Sequence, residues 1–213
     1  VVLSHAHIDH SGNIPSLVRN GFERSIYATH ATRDLCSAML ADSAHIHEKE
    51  AEYMNLRMGR RGENRRIEPL YTMKDALDSM NLFNSVNYGK RIEVADGIDV
   101  VFRDAGHIIG SSLVEMFVRE HGTEKKLVFS GDVGRKRLPV LRDPEYIEEA
   151  DVLITESTYG NRVHDDITKA NEKLRQVITD AYRRGGKIIV PAFSVGRTQE
   201  LVYSIHQLVN DKA

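Results

Sequence analysis

The first ten residues, VVLSHAHIDH, place His5, His7, Asp9 and His10 within six positions, directly after an apolar run. An extended chain sends residues two apart to the same side, so His5 and His7 at a strand end converge on one point. Asp9 and His10, just past that end, reach a second point nearby. Imidazole and carboxylate are ligands of divalent cations. Two cations roughly 3.5–4 Å apart form a clamp that ionises a water and stabilises both oxygens of a displacement. Such a pair needs more ligands from distant segments, which restricts the chain to folds whose strand ends come together.

Two residues meet that demand. His107 follows FRDAG in AGHIIGSS and Asp132 follows LVFSG in SGDVG, each at the exit of a β-like segment among small residues that let the backbone turn sharply. A carboxylate such as Asp132 is able to bridge two cations. The donor set is nitrogen and oxygen only, which suits zinc and also admits manganese or iron. His45 and His47 sit about 200° apart on a helix, point away from each other, and read as solvated.

The rest of the chain predicts an α/β layout. VVLSH reads as a buried strand, SGNIPSLVRNG as a short helix stopped at Gly21, and SIYAT as the next strand. A helix from Thr32 to about Met58 is highly charged at its far end, and GRRGENRRIEP after it reads as a Gly- and Arg-rich surface insertion. Thr72 begins another helix, with Asp75 in capping-box spacing and Leu77 and Met80 to bury. From Lys90 to Phe129 the period switches to two, giving a β meander with turns at Asp96-Gly97 and His121-Gly122. DVLITES reads as a further buried strand. Ala170, Leu174, Val177, Ile178, Ala181 and Tyr182 mark one face of a helix closing at Gly185-Gly186, and KIIVPAF predicts one more strand. Leu201, Val202, Ile205, Leu208 and Val209 form the apolar face of a last helix, with no later element to cover it.

Composition narrows the class. The chain of 213 residues is 41% hydrophobic and 28% charged, and no apolar run approaches the roughly 20 residues of a membrane helix. A single cysteine, Cys36, permits no internal disulfide, so a reducing, cytoplasmic setting is expected and the thiol reads as a small buried hydrophobe. With a net charge of −2, any nucleic-acid contact must come from local basic patches. The absent initiator methionine and the uncovered last helix read as a fragment cut at both ends.

HAHIDH, AGHIIGS, SGDVG, TESTYGNR and PAFSVGRTQELVY, in that order, resemble the metallo-β-lactamase-fold nucleases of the β-CASP family, closest to bacterial and archaeal relatives of the cleavage and polyadenylation specificity factor endonuclease. The resemblance covers essentially the whole chain. It implies an αββα sandwich, incomplete here, whose two sheets meet at a dinuclear zinc site. Residues 1–190 would be the metallo-β-lactamase-like domain, lacking its first strands and C-terminal part, and residues 191–213 the beginning of an inserted β-CASP domain. Position by position, His5, His7 and His107 become ligands of one zinc, Asp9 and His10 of the other, and Asp132 the bridge. Glu156 of TESTYG becomes the support of a leaving-group histidine; from the residues alone it is equally a cap for the following turn. The family's last metal-binding histidine and its leaving-group histidine fall outside these residues.

The activity implied is metal-dependent phosphodiester hydrolysis of RNA, endo- or exonucleolytic, by a zinc-bound hydroxide that Asp9 helps to orient. Two Zn2+ ions are the implied cofactors and RNA the implied partner, favoured over DNA by the resemblance alone, with pairing into a homodimer left open. Arg135 and Lys136 in GRKRLPVLR, Arg197 in VGRTQ, and Tyr159 and His164 near Glu156 are candidate substrate contacts, and the Arg57–Arg66 loop is a further basic candidate; solvated surface is the alternative for each. Two other readings stay in view. A small-molecule hydrolase of the same fold, thioesterase or lactamase, is opposed by PAFSVGRTQELVY and the Arg-rich insertion. A non-catalytic scaffold subunit is opposed by six intact ligand positions. A di-iron flavoprotein oxidase is disfavoured because His7 stands where that group carries a carboxylate. The isolated 213 residues are expected to be weakly active or inactive.

Overall fold

The period-two alternation builds the largest element. In the computed structural model, which describes residues 1–63, 65–162 and 170–210, β3 (Ile92–Ala95), β4 (Ile98–Asp104), β5 (Ser112–Glu120) and β6 (Thr123–Phe129) form the expected antiparallel meander, and β7 (Val152–Ile154) joins β6 in parallel. Val100 and Phe102 of β4 stand opposite Met116 and Val114 of β5, so all four share one face. That face packs on Val2, Tyr27 and Val86 of a smaller sheet. The smaller sheet pairs β1 (Ile26–Thr29) with β2 (Phe83–Val86) in parallel, and residues 1–3 add beside β1 through Tyr27.

A helical layer covers the other side of the small sheet. It contains α2 (Ile14–Arg19), α3 (His30–Gly59) and α4 (Met73–Met80). Leu3, Ile26, Ala28 and Phe83 pack there with Cys36 and Leu40 of α3. Burial pushes the Cys36 thiol up to about 12, while a hydrogen bond with Ser11 pulls the other way. The cap predicted for α4 is present, since the Thr72 hydroxyl accepts from Asp75 N–H and the Asp75 carboxylate accepts from Thr72 N–H. Helix, small sheet and large sheet thus stack as three layers of the expected sandwich. On the outer face of the large sheet, buried Glu115 is paired with Arg103 and Lys126, both at 2.6 Å, and Asp99 with Arg91 and Arg119. Charge on that face is therefore tolerated because each carboxylate has two cations.

Several expectations need correction. KIIVPAF is not a strand: residues 187–193 pair with no sheet, and Ile189 is 91% exposed. DVLITES forms only the three-residue β7, and its Val152, Leu153 and Ile154 are exposed where burial was expected. An apolar run supplies β propensity, but a ladder needs a partner backbone at hydrogen-bonding distance, and β7 is the edge. In α4 the buried residues are Ala76 and Ser79, Met80 packs against the core, and Leu77 is exposed. In α5 (Ala170–Arg183) Ala181 is buried while Val177 and Tyr182 are exposed; in α6 (Arg197–Asn210) Leu208 is buried while Val202 and Val209 are exposed. His47 is not simply solvated, because its ring meets Tyr71 edge-on at 5.1 Å. Among the described residues, no helix is long and apolar enough to cross a membrane.

Two loops leaving the large sheet are seated backbone to backbone. Gly134 N–H donates to Ala105 carbonyl at 2.8 Å, and a Cβ on Gly134 would lie 1.7 Å from the carbonyl oxygen of Gly106. No side chain fits there. Gly134→Ala is therefore expected to cost at least about 3 kcal/mol by forcing the loops apart. Gly59→Ala, at an exposed site with open space, is expected to stabilise by about 0.5 kcal/mol. Urea unfolding of both variants checks this pair; an unchanged Gly134→Ala midpoint refutes the close seating.

Candidate metal centre

The site lies where the two sheets meet. The opening segment pairs with β1 up to Leu3, and the carbonyl of Ser4 then accepts from both Ser112 N–H (2.9 Å) and Ser112 hydroxyl (2.8 Å) at the start of β5. His5, fully buried, and His7, half-buried, follow that junction outside any strand, the expected VVLSH strand being reduced to one bridge at Val2. The single turn α1 (Ile8–Ser11) then presents Asp9 and His10. Ser11 holds the turn closed by donating to the carbonyls of Ala6 (2.9 Å) and His7 (3.1 Å).

His107 comes from the loop between β4 and β5. The Ser111 hydroxyl accepts from His107 N–H and Ile108 N–H, at 3.0 and 3.2 Å. The same loop is tied to the start of α3, where the Thr29 and Thr32 hydroxyls both donate to the carbonyl of Gly110, at 2.7 and 2.8 Å. Gly110 has φ +83°, and an added Cβ would stand 2.5 Å from Thr32 N, so glycine is required there. Asp132 lies on the loop after β6. Behind it, the Glu156 carboxylate accepts from Val133 N–H at 2.8 Å and Glu156 N–H donates to Ser130 hydroxyl at 3.3 Å. Glu156 therefore braces the preceding Asp132 loop, where the residues alone suggested a cap for the turn that follows.

Six predicted ligand positions converge in two groups. His7 Nδ1 is 3.2 Å from His5 Nε2 and 3.0 Å from His107 Nε2. Asp132 Oδ2 is 3.4 Å from His107 Nε2 and 3.7 Å from His5 Nε2. Tetrahedral zinc with bonds of 2.0–2.1 Å has ligand–ligand edges of about 3.3 Å, so these four atoms fit one ion. The other Asp132 oxygen, Oδ1, is 3.3 Å from His10 Nε2, which in turn is 3.6 Å from Asp9 Oδ2. One carboxylate thus divides its oxygens between two donor groups.

The chemistry of the donors fits a cation as well. Three ring nitrogens face one another, and protons between them cannot satisfy every lone pair, whereas a central cation does. Ser4 hydroxyl lies 3.1 Å from His5 Nδ1 and favours the tautomer whose Nε2 lone pair points inward. Burial first, then repulsion from His10, His107 and His7, pushes His5 down to about 2; burial and His7 lower His107 too. Both rings are held neutral, as metal ligands must be.

The candidate substrate contacts are placed differently. Arg135 and Arg197 line one cleft of about 580 Å³ together with Arg137, Lys173 and Glu200. A Cβ on Gly196 would stand 3.1 Å from Ile108 Cγ2, so the residue before Arg197 lies close to the His107 loop. Lys136 is exposed on the loop after Asp132, and Tyr159 is exposed on the turn after Glu156. His164 lies outside the described residues. The hydroxyls of Ser4, Ser11, Thr29, Thr32 and Ser111 were not foreseen; for Ser4, Ser11 and Ser111 the signal was a small polar residue within a few positions of a proposed ligand histidine, as in LSH, DHSG and HIIGSS, while Thr29 and Thr32 stand near none.

The low position of His5 gives a sign for acid stability. Below pH 6.5 the unfolded chain takes up a proton that native His5 refuses, so stability falls as pH falls, by about 1.4 kcal/mol per unit. His107 acts in the same direction. Metal-free protein is expected to lose about 2 kcal/mol from His5 alone between pH 6.5 and 5, and nothing from it above pH 6.5. Urea midpoints in EDTA across this range test the slope, which His5→Asn should make shallower.

Comparison with known proteins gives the family. The sequence profile of the Metallo-beta-lactamase superfamily, a metal-dependent group, matches residues 1–192. Ribonuclease TTHA0252 of Thermus thermophilus is 30% identical over 97% of this chain and 42% of its own length. Transcription termination factor FttA of Methanocaldococcus jannaschii is 31% identical over 99% of the chain and 31% of its own length, and endoribonuclease ysh1 of Schizosaccharomyces pombe is 30% identical over 99% and 26%. The chain spans less than half the length of each of these relatives. The resemblance read from the motifs is upheld, and with 192 of its 213 residues matched, the chain belongs to the Metallo-beta-lactamase superfamily.

Proposed function

We propose that the chain is the metal-binding part of a cytoplasmic ribonuclease that hydrolyses RNA phosphodiesters with two Zn2+ ions. The observation that carries this reading is the division of Asp132, with Oδ2 turned to His5 and His107 and Oδ1 turned to His10. The relatives named as ribonuclease and endoribonuclease support RNA as the substrate. When bound, a pair of such ions supplies a water ionised near neutral pH and neutralises charge on the reacting phosphate. His5, His7 and His107 would hold one ion, Asp9 and His10 the other, and Asp132 would serve both.

The remaining residues position and bind. Asp9 has a side chain 75% exposed, so its carboxylate is able to accept a hydrogen bond from the attacking water and orient it. Glu156 is a positioning residue, acting on the centre through the Val133 amide that it holds. Arg135 and Arg197, in the cleft beside the His107 loop, hold phosphates of the strand, with Lys136 and Tyr159 on adjoining exposed turns. Residues 1–190 form the metal-binding domain and residues 191–213 open a β-CASP domain.

The test uses the full-length gene product with end-labelled RNA and DNA of one sequence. RNA is cut, two metal ions per chain are found by elemental analysis, and His107→Ala or Asp132→Ala lowers the rate by more than about 100-fold, since loss of an outer partner alone costs 10–100-fold. Glu156→Gln lowers metal affinity within that smaller range. Equal product from wild type and the two alanine variants, or turnover of a thioester or lactam without RNA, overturns the proposal.

A further inference from the structure

We infer that the arginine-rich tip of α3 is a second contact surface for the RNA strand, remote from the metal centre; the inference rests on the ribonuclease reading. α3 has 30 residues, about 45 Å of helix. Its buried positions are Thr32, Cys36, Leu40, Ala44 and Ala51, so the turns after Ala51 stand out from the core. Asn55 clamps both backbone groups of Ile67, donating to its carbonyl at 2.8 Å and accepting from its N–H at 2.7 Å, which holds Ile67 against the helix.

This tip concentrates charge. Arg57, Arg60, Arg61, Arg65 and Arg66 fall within ten residues, against one carboxylate, Glu63, in a chain whose net charge is −2. All five arginines are exposed, and none has an ion pair or side-chain hydrogen bond among the described residues. Neighbouring carboxylates are already engaged: Glu48 accepts from Met73 N–H, Glu52 pairs with Lys49, and Glu68 pairs with Arg19. Cations in the last turn complement the helix dipole, but that accounts for Arg57 and Arg60 and not for Arg65 or Arg66 beyond the helix. Unpaired guanidinium groups bind phosphates through two parallel hydrogen bonds. Tyr53, 63% exposed and one turn before Arg57, offers a face on which a base stacks.

The geometry adds a length requirement. The opposite end of α3 holds Gly110 in the His107 loop, so the tip and the metal centre are separated by roughly the length of the helix. At 3.4 Å per nucleotide, a strand reaching both needs on the order of a dozen nucleotides. Short RNA therefore meets the centre alone, and long RNA meets both.

The test measures RNA binding by the full-length gene product in EDTA, where no cleavage occurs, over a range of KCl. Two oligonucleotides are compared, one of about thirty nucleotides and one of about six, either side of the dozen-nucleotide span. Arg60, Arg61, Arg65 and Arg66 are changed together to Gln; a second variant with Arg24, Lys90, Arg183 and Arg184 changed to Gln carries the same charge change on scattered exposed sites. The tip variant is expected to weaken the long RNA about tenfold or more and to flatten its salt slope by up to about 3, at roughly 0.7 per lost phosphate contact. The short RNA and the scattered variant change less than about twofold. Equal losses for both variants, equal losses for both lengths, no loss, or competition by polyglutamate as strong as by RNA overturns the inference. Tip-dependent binding in EDTA together with no cleavage once Zn2+ is restored would overturn the ribonuclease reading and leave this one standing.

Discussion

The centre depends on two backbones being allowed to touch. Gly106 and Gly134 bring the loops that carry His107 and Asp132 to a separation at which any side chain would intrude. Everything chemical in the site follows from that closeness, because the Asp132 carboxylate reaches three imidazoles only while its loop rests on the other. Gly134 serves this contact, while Gly106 is crowded by Arg142 and Pro144, Gly110 by Thr32 and Gly131 by Ser4. Around it, Ser112 holds Ser4 and Glu156 braces Val133, so each ligand-bearing segment is fixed by hydrogen bonds that use no ligand atom.

Gathering four imidazoles in one place carries a cost that the surroundings shape. His5 is buried among three other rings, which makes its protonated form unfavourable and keeps its lone pair available. Among the described residues, Asp132 is the carboxylate common to both donor groups, and its position between them would let one negative charge serve two cations. On the proposed reading such an arrangement would be more favourable with cations than without, which is the thermodynamic meaning of a preformed metal site.

Much of this was legible in the chain because it follows local rules. The alternation in IDVVFRDA and SLVEMFVRE fixes which residues of β4 and β5 share a face, and Thr72 with Asp75 marks the start of α4. The meeting of the proposed ligands follows from their spacing as well: His5 and His7, two apart, bring ring nitrogens to 3.2 Å of each other. What was not legible depends on partners. KIIVPAF has the composition of a strand and no ladder, and Val177 and Tyr182 hold the periodicity of a buried face while exposed. Periodicity states which residues would be buried together; whether a second surface arrives is decided by the rest of the chain. The hydroxyl network of Thr29, Thr32 and Gly110 joins residues about eighty positions apart and leaves no periodic trace.

Cys36 draws one further consequence from this packing. Its thiol is fully buried, shifted far from the range of a reactive thiolate, and joined to Ser11, the residue that holds the metal-binding turn closed. For a reagent to reach that sulfur, α3 and the turn must part. The lone thiol is thus a built-in clock: the rate at which it is alkylated measures how often the floor beneath the metal centre opens.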